Sequence, residues 1–161
     1  MKTLLLMRHA KSSWKDDKVA DHERPLNKRG LRDAPYMGRR LRGLPQPPQA
    51  ILASTAVRAR ATAAAVAEAL AFEGEVKLVP GFYSEAPEAY FTALHRLPAA
   101  VDVALIIAHN PSLEEVLSTL TGEDEAMPTA AVAHVSLPIK SWAELSPDTE
   151  ATLTEFWRPK E

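Results

Sequence analysis

Short apolar runs alternate with segments of helical periodicity along this chain of 161 residues. The strand-like apolar runs occupy residues 2–7, 50–53, 76–79, 101–108, 130–137 and 149–156. Apolar residues recur at helical spacing in the segments 27–42, 54–72, 84–97 and 110–120. The order β-α-β-α-β-α-β-α-β-β predicts a three-layer α/β/α sandwich around a mostly parallel central sheet, with the last strands antiparallel at an edge.

Individual residues mark the boundaries of these segments. Asn27 and either Ser54 or Thr55 carry the side chains that cap helix N-termini, so we expect them to begin the first two helices. Pro35 interrupts the first helical pattern and predicts a kink or a restart there. Pro87 suits the first turn of the third helix.

Composition excludes several functional classes. A net charge of −2 without a basic tail argues against nucleic-acid binding. The absence of cysteine excludes disulfides, thiol nucleophiles and cysteine-ligated zinc. The apolar run 4–7 is too short for a membrane span or a secretory signal, so we expect a cytoplasmic protein without a membrane partner. The length predicts one domain over residues 1–161, and no surface stripe stands out, so we expect a monomer.

Cationic and imidazole side chains follow three of the predicted strands. Arg8 and His9 end the first strand, Arg58 lies in the first helical turn after the second, and His109 and Asn110 follow the fourth. Ligands of open α/β sheets bind at the carboxyl ends of the strands. We therefore expect these side chains to converge on one cavity.

Two arginines and two histidines suit a phosphoryl group. Guanidinium groups match phosphate oxygens, and helix N-termini add backbone N–H donors. An imidazole beside arginines has a lowered pKa, and its neutral nitrogen is a competent nucleophile. Each residue alone also has an ordinary explanation, such as a loop histidine or a solvated helix arginine. Their shared position at strand ends favours an anion site.

Three motifs carry a resemblance to a known family, and they are Arg8-His9-Ala10, Ser54-x-x-x-Arg58-Ala-x-x-Thr62-Ala63 and His109-Asn110-Pro111. Together they resemble the histidine phosphatase superfamily, which has the phosphoglycerate mutase-like fold. The segment from Arg8 to Trp14, followed by Asp21-x-x-Arg24-Pro-Leu, is similar to the SixA-type phosphohistidine phosphatase branch. The resemblance runs from residue 2 to about residue 120, and the last forty residues are generic.

The resemblance implies a role for each matching residue. His9 would be the nucleophile of a metal-independent phosphatase that needs no cofactor, forming a phosphohistidine intermediate that water hydrolyses. Arg8, Arg58 and His109 would complete the phosphate pocket and stabilise the developing charge. Secondary phosphate contacts would come from Ser12, Arg24 and Asn110.

Two departures from the superfamily pattern bear on the substrate. Ala10 replaces the glycine that usually follows the catalytic histidine, a change that the branch tolerates. The chain has little room for the insertion that supplies an acidic group in larger members. Glu85 is the candidate general acid, and Glu88 is better explained as an ordinary first-turn helix residue.

The substrate expected from this resemblance is a phosphorylated histidine on a protein, such as a phosphotransfer protein. Its nitrogen leaving group needs less help from an acid than an alkoxide does. The alternatives are a phosphatase of small phosphomonoesters, a non-catalytic phosphate-binding module on the same fold, and a metallohydrolase using His9 and His109.

Overall fold

The computed structural model of the chain describes residues 1–84 and 86–159, which form a layered α/β structure. The strands are β1 (Lys2–Arg8), β2 (Ala50–Ala53), β3 (Lys77–Leu78), β4 (Val103–Ala108), β5 (Val132–Leu137) and β6 (Thr152–Trp157). The α-helices are α1 (Lys28–Arg42), α2 (Val57–Leu70), α3 (Glu88–His95) and α4 (Ser112–Thr121). The predicted α/β fold class and the order of its elements are confirmed.

All six strands belong to one sheet, in the order β3-β2-β4-β1-β5-β6. Strands β1 to β4 pair in parallel, whereas β5 pairs antiparallel with β1 and β6 antiparallel with β5. The predicted antiparallel strands at the edge are therefore confirmed. Because β2, β4 and β1 are neighbours, their carboxyl ends lie side by side.

Successive side chains of a strand point to opposite faces, and β1 shows how this divides the core. Leu4 and Leu6 pack on one face, in a cluster that includes residues of α3 and α4. Leu5 and Met7 pack on the other face, against α1 and α2. Strand β4 is buried along its whole length, as expected for a central strand with helices on both sides.

The two boundary signals predicted for the first helix have different outcomes in the folded chain. Asn27 caps α1 as predicted, since its side chain accepts a hydrogen bond of 2.9 Å from the Gly30 amide. The helix does not restart at Pro35 and continues to Arg42, so the alternative of a restart is wrong. Proline has no N–H for the hydrogen bond to the residue four positions earlier, which is Leu31, so the helix continues with one backbone bond fewer.

Neither Ser54 nor Thr55 caps α2, so that prediction is also wrong. The N-cap position is Ala56, which makes no side-chain cap. The Ser54 hydroxyl group instead bonds the His109 ring, a contact that joins two strand ends.

The third strand and the third helix are shorter than predicted. Strand β3 ends at Leu78 before a 3-10 turn, Pro80–Phe82, because Pro80 has no N–H with which to extend the ladder. Pro87 occupies the N-cap position of α3 and not a position inside its first turn. No helix within the described ranges is long and apolar enough to cross a membrane.

Candidate active site

A cavity of about 170 Å³ lies at the carboxyl ends of β1, β2 and β4. Seven of the residues that the sequence selected line it, namely Arg8, His9, Ser12, Arg24, Arg58, His109 and Asn110. Lys11, Trp14 and Thr129 complete the lining. The eighth candidate, Glu85, lies outside the residues that the structure describes. Glu88 is an exposed residue in the first turn of α3, as expected.

His9 is buried with one ring nitrogen engaged and the other available. Its Nδ1 lies 2.8 Å from the Ala10 carbonyl oxygen, and since a carbonyl only accepts hydrogen bonds, Nδ1 carries the proton. Nε2 of the neutral ring therefore keeps its lone pair. The backbone behind the ring is held by Thr62, whose hydroxyl oxygen accepts a bond of 3.0 Å from the Ala10 amide.

The surroundings of His9 keep its ring neutral. Burial lowers the pKa of His9 to about 3, and His109, Arg58 and Arg8 act in the same direction, whereas the hydrogen bond to the Ala10 carbonyl opposes them. The ring is therefore uncharged at neutral pH, which is the protonation state that a nitrogen nucleophile requires.

His109 faces His9, with ring centroids 5.1 Å apart. Its Nε2 lies 2.7 Å from the Ser54 hydroxyl oxygen, which fixes the ring across the gap between β4 and β2. Burial, followed by the positive charge of Arg58, lowers the pKa of His109 to about 4. Within the described structure its Nδ1 is buried without a hydrogen-bond partner.

Two arginines border the same cavity from different elements. Arg8, at the end of β1, donates from Nη1 to the Met127 carbonyl oxygen at 3.1 Å. Arg58, in the first turn of α2, donates from Nη1 to the Asp21 carbonyl oxygen at 2.8 Å and from Nη2 to the Asp21 carboxylate at 3.1 Å. The Nε atoms of both arginines are buried without a hydrogen-bond partner among the described residues.

Asp21 organises the mouth of the cavity, and sequence reasoning did not assign it a role. Its carboxylate accepts hydrogen bonds from Arg58, from Arg24 Nε at 3.1 Å and from the Tyr83 hydroxyl group at 2.7 Å. The Tyr83 hydrogen bond, and then the charge of Arg58, hold the pKa of Asp21 at about 2. The one signal in the sequence is that Asp21 stands three residues before Arg24, a spacing that allows an ion pair on one helical turn.

Arg24 connects this network to the loop after His9. Its Nη1 donates to the Ser12 hydroxyl oxygen at 2.6 Å, and its guanidinium carbon lies 3.5 Å from the ring centroid of Trp14. Ser12 and Leu26 form an isolated antiparallel bridge that brings the two ends of the loop together. The long loop therefore contributes side chains to the cavity wall at fixed positions.

Asn110 connects the two chain segments on the side of the cavity away from Arg24, which are the start of α4 and the loop at Met127. Its Nδ2 donates to the Met127 carbonyl oxygen and to the Glu114 carboxylate, both at 2.9 Å. The same carboxylate accepts a bond of 2.7 Å from the Met127 amide. Asn110 thus ties the start of α4 to the loop segment that also receives Arg8.

The chemistry available at this cavity is that of an oxyanion site with a nitrogen nucleophile. It combines two neutral imidazoles with three guanidinium groups, which suits a phosphoryl group and its developing charge. Residues 1–84 and 86–159 contain no group of three or more histidine, aspartate or glutamate side chains arranged to hold a metal ion.

Comparisons with known proteins agree with this description. The family model of the histidine phosphatase superfamily (branch 1) matches residues 4–83. A chloroplastic protein of Arabidopsis thaliana is 37% identical over 150 residues, which cover 88% of this chain and 69% of that protein. A Mycobacterium tuberculosis protein is 33% identical over 165 residues, covering 96% of this chain and 100% of its own.

Solved structures with this fold cover nearly the whole chain. A protein from Agrobacterium tumefaciens described as a phosphohistidine phosphatase SixA has a TM-score of 0.83 and 25% identity, with 98% of both chains covered. A tungstate complex of the protein histidine phosphatase SixA has a TM-score of 0.81 and 23% identity, with 96% of this chain and 95% of that chain covered. The resemblance to the SixA-type branch is thus confirmed.

Fold and cavity together define a phosphatase with a phosphoglycerate mutase-like α/β fold. This chain belongs to the histidine phosphatase superfamily, and its enzyme class, predicted from the sequence, is confirmed.

Proposed function

We propose that this chain removes the phosphoryl group from a phosphorylated histidine side chain of a protein, through a covalent intermediate on His9. The observation that carries the proposal is the neutral His9 ring. Its Nδ1 is held by the Ala10 carbonyl, so Nε2 keeps a lone pair inside a cavity lined by Arg8 and Arg58.

In the first step the lone pair of His9 Nε2 attacks phosphorus. The N–P bond of the substrate breaks, and its electron pair returns to the departing imidazole, which takes a proton from solvent. Arg8 and Arg58 neutralise the equatorial phosphoryl oxygens during this transfer. Water then attacks the phosphorus of phospho-His9, the Nε2–P bond breaks, and inorganic phosphate leaves.

The state of Asp21 supports a nitrogen leaving group over an alkoxide. An alkoxide needs a proton from a general acid, but the pKa of about 2 keeps Asp21 ionised, and Tyr83 and two arginines already occupy its carboxylate. The imidazole of phosphohistidine leaves with less assistance. A general-acid role for Glu85 stays a prediction from the sequence.

The neighbouring structures support the same assignment. One similar SixA protein is described as a phosphohistidine phosphatase, and another, described as a protein histidine phosphatase, is complexed with tungstate, a tetrahedral oxyanion shaped like phosphate. A phosphatase named for α-ribazole-5′-phosphate, from Escherichia coli, also shares the fold at 18% identity and a TM-score of 0.72. Small phosphomonoesters are therefore the comparison substrates for any test.

The decisive experiment compares two substrate classes in the presence of a metal chelator. One is a histidine-containing phosphotransfer protein phosphorylated with phosphoramidate, and the other is a panel of sugar and glycerate phosphates. We expect kcat/KM to be highest for the phosphoprotein, and we expect rapid acid-free quenching to trap an acid-labile phosphoenzyme. His9→Ala should abolish both turnover and the trapped phosphoenzyme.

The matched control is His95→Ala, which removes a histidine on α3 whose ring bonds the Leu145 carbonyl and lies outside the cavity lining. It should leave both measurements unchanged. Full activity of the His9→Ala enzyme would contradict the proposed nucleophile. A preference for one of the small phosphates over the phosphoprotein would contradict the proposed substrate while leaving His9 in place.

A further inference from the structure

A second, larger cavity adjoins the phosphate pocket. This groove, of about 790 Å³, is formed by the loop after His9 and the first turn of α1. Lys11, Ser12 and Trp14 line both the groove and the pocket, so the two lie next to each other. The proposed chemistry takes place in the pocket and leaves the groove without a role.

Every ionisable side chain that lines the groove is cationic. These residues are Lys11, Lys15, Lys28 and Arg29. Arg29 forms an ion pair with Asp33 at 3.5 Å, whereas the three lysines form no ion pair within the described parts of the chain. The whole chain has a net charge of −2, so the positive charge of the groove is specific to this surface and does not follow from overall composition.

The same groove presents two large apolar side chains to solvent. Trp14 is 70% exposed and Leu31 is 63% exposed, and they are two of the five large apolar residues that the described structure leaves exposed. Exposed tryptophan beside cations is characteristic of protein-binding surfaces, where aromatic anchors contribute most of the binding energy. Trp14 also stacks on Arg24, which connects the groove to the phosphate-binding side chains.

We infer that the groove is the docking surface for an acidic patch on the phosphorylated protein whose phosphoryl group enters the pocket. This inference rests on the proposed function, because it identifies the substrate as a folded protein with carboxylates and an apolar side chain near its phosphohistidine. Lys15 and Lys28 steer the acidic partner toward the site, and Leu31 contacts its apolar side chain. Because the groove lies next to the pocket, a protein docked in the groove presents its phosphoryl group to His9.

The test separates docking from chemistry by using two substrates of different size. We would measure steady-state kinetics of Lys15→Glu/Lys28→Glu and of Leu31→Ser with an acidic phosphotransfer protein phosphorylated on histidine, and with p-nitrophenyl phosphate. Reversing two rim charges should raise KM for the phosphoprotein about tenfold, with kcat little changed and with a weaker dependence on salt. Leu31→Ser should raise the same KM, and kinetics with p-nitrophenyl phosphate should stay within about twofold for both variants.

Matched controls come from the edge strand β3 and from the connection before β6, at residues outside the linings of groove and pocket. Lys77→Glu/Lys140→Glu makes the same change in net charge at two exposed lysines, and Leu78→Ser replaces an exposed leucine on β3. These variants should behave like the unsubstituted enzyme with both substrates. Circular dichroism and thermal melting would establish that all variants are folded.

Several outcomes would overturn the inference. Equal effects of groove and control variants on the phosphoprotein would show that only net charge matters. Equal effects of the groove variants on both substrates would make the groove part of the catalytic pocket. The unsubstituted enzyme could bind anionic vesicles or single-stranded DNA while the groove variants do not. If phosphoprotein kinetics were then unchanged in those variants, the groove would belong to that other ligand. If the unsubstituted enzyme hydrolyses p-nitrophenyl phosphate but not the phosphoprotein, the proposed function fails, and the docking inference fails with it.

Discussion

The two buried histidines should make the stability of the enzyme depend on pH in the range where histidine normally titrates. Burial lowers the pKa of His9 to about 3 and that of His109 to about 4, from an ordinary value of 6.5. As the pH falls below 6.5 the unfolded chain takes up protons on these rings, but the folded protein does not. The free energy of unfolding therefore falls with decreasing pH, from 6.5 toward the folded values.

The loss of unfolding free energy between pH 8 and pH 5 depends little on the pKa values of the two histidines in the folded protein, because pH 5 lies above both values. Each histidine then contributes a loss of about 2 kcal/mol relative to pH 8, given about 1.4 kcal/mol per pH unit over about 1.5 units. The pair should lower the free energy of unfolding by about 4 kcal/mol. Urea denaturation at pH 8 and pH 5, followed by tryptophan fluorescence and circular dichroism, measures this difference.

Substitution assigns the effect to the two rings. His109→Gln should remove about 2 kcal/mol of the difference between pH 8 and pH 5, and the double variant with His9→Gln should remove about 4 kcal/mol. The reasoning is refuted if the unsubstituted enzyme loses less than about 1 kcal/mol over this range, or if the double variant retains the full pH dependence.

Three further substitutions test the cavity and its supports. Arg58→Lys should lower kcat by about 10²-fold, because one ammonium group cannot replace the several N–H donors of a planar guanidinium group. Arg60→Lys, on the exposed side of α2, should have no effect. Asp21→Asn should lower kcat/KM about tenfold or more, since a neutral amide no longer anchors the two arginines; an unchanged value would remove Asp21 from the positioning network. Gly30→Ala places a Cβ 2.2 Å from a backbone carbonyl oxygen and should cost about 1–3 kcal/mol in urea unfolding, whereas Gly43→Ala, with 3.5 Å to its nearest atom, should not. Equal stability of these two alanine variants would contradict that account.

The sequence alone predicts the layered fold and the collection of side chains at one sheet edge. Arg8 ends β1, His9 and His109 directly follow β1 and β4, and Arg58 lies within the first turn of the helix after β2. Local patterning determines such positions, because the periodicity of the apolar residues and the length of each segment decide which segments become strands and which become helices. Parallel pairing then puts the strand ends at one edge.

Local signals failed where a distant contact competes with them. Ser54 has the side chain of a helix cap, but its hydroxyl group bonds His109, a residue 55 positions further along the chain. Pro35 has the signature of a helix break, yet the helix continues through it, and α1 packs along α2. In both cases tertiary contacts outweigh a local preference of about 1 kcal/mol or a few times that amount.

What the sequence determined by itself is therefore the order of elements, the ends of the central strands and the residue types that those ends carry. Only the tertiary structure decided how these groups are held. Tyr83 reaches Asp21 across 62 residues of chain, and Arg58 reaches it across 37. The groove likewise forms because the loop after His9 packs on the start of α1. Contacts between residues so far apart in the chain depend on the packing of whole elements, and no local pattern of residues encodes them.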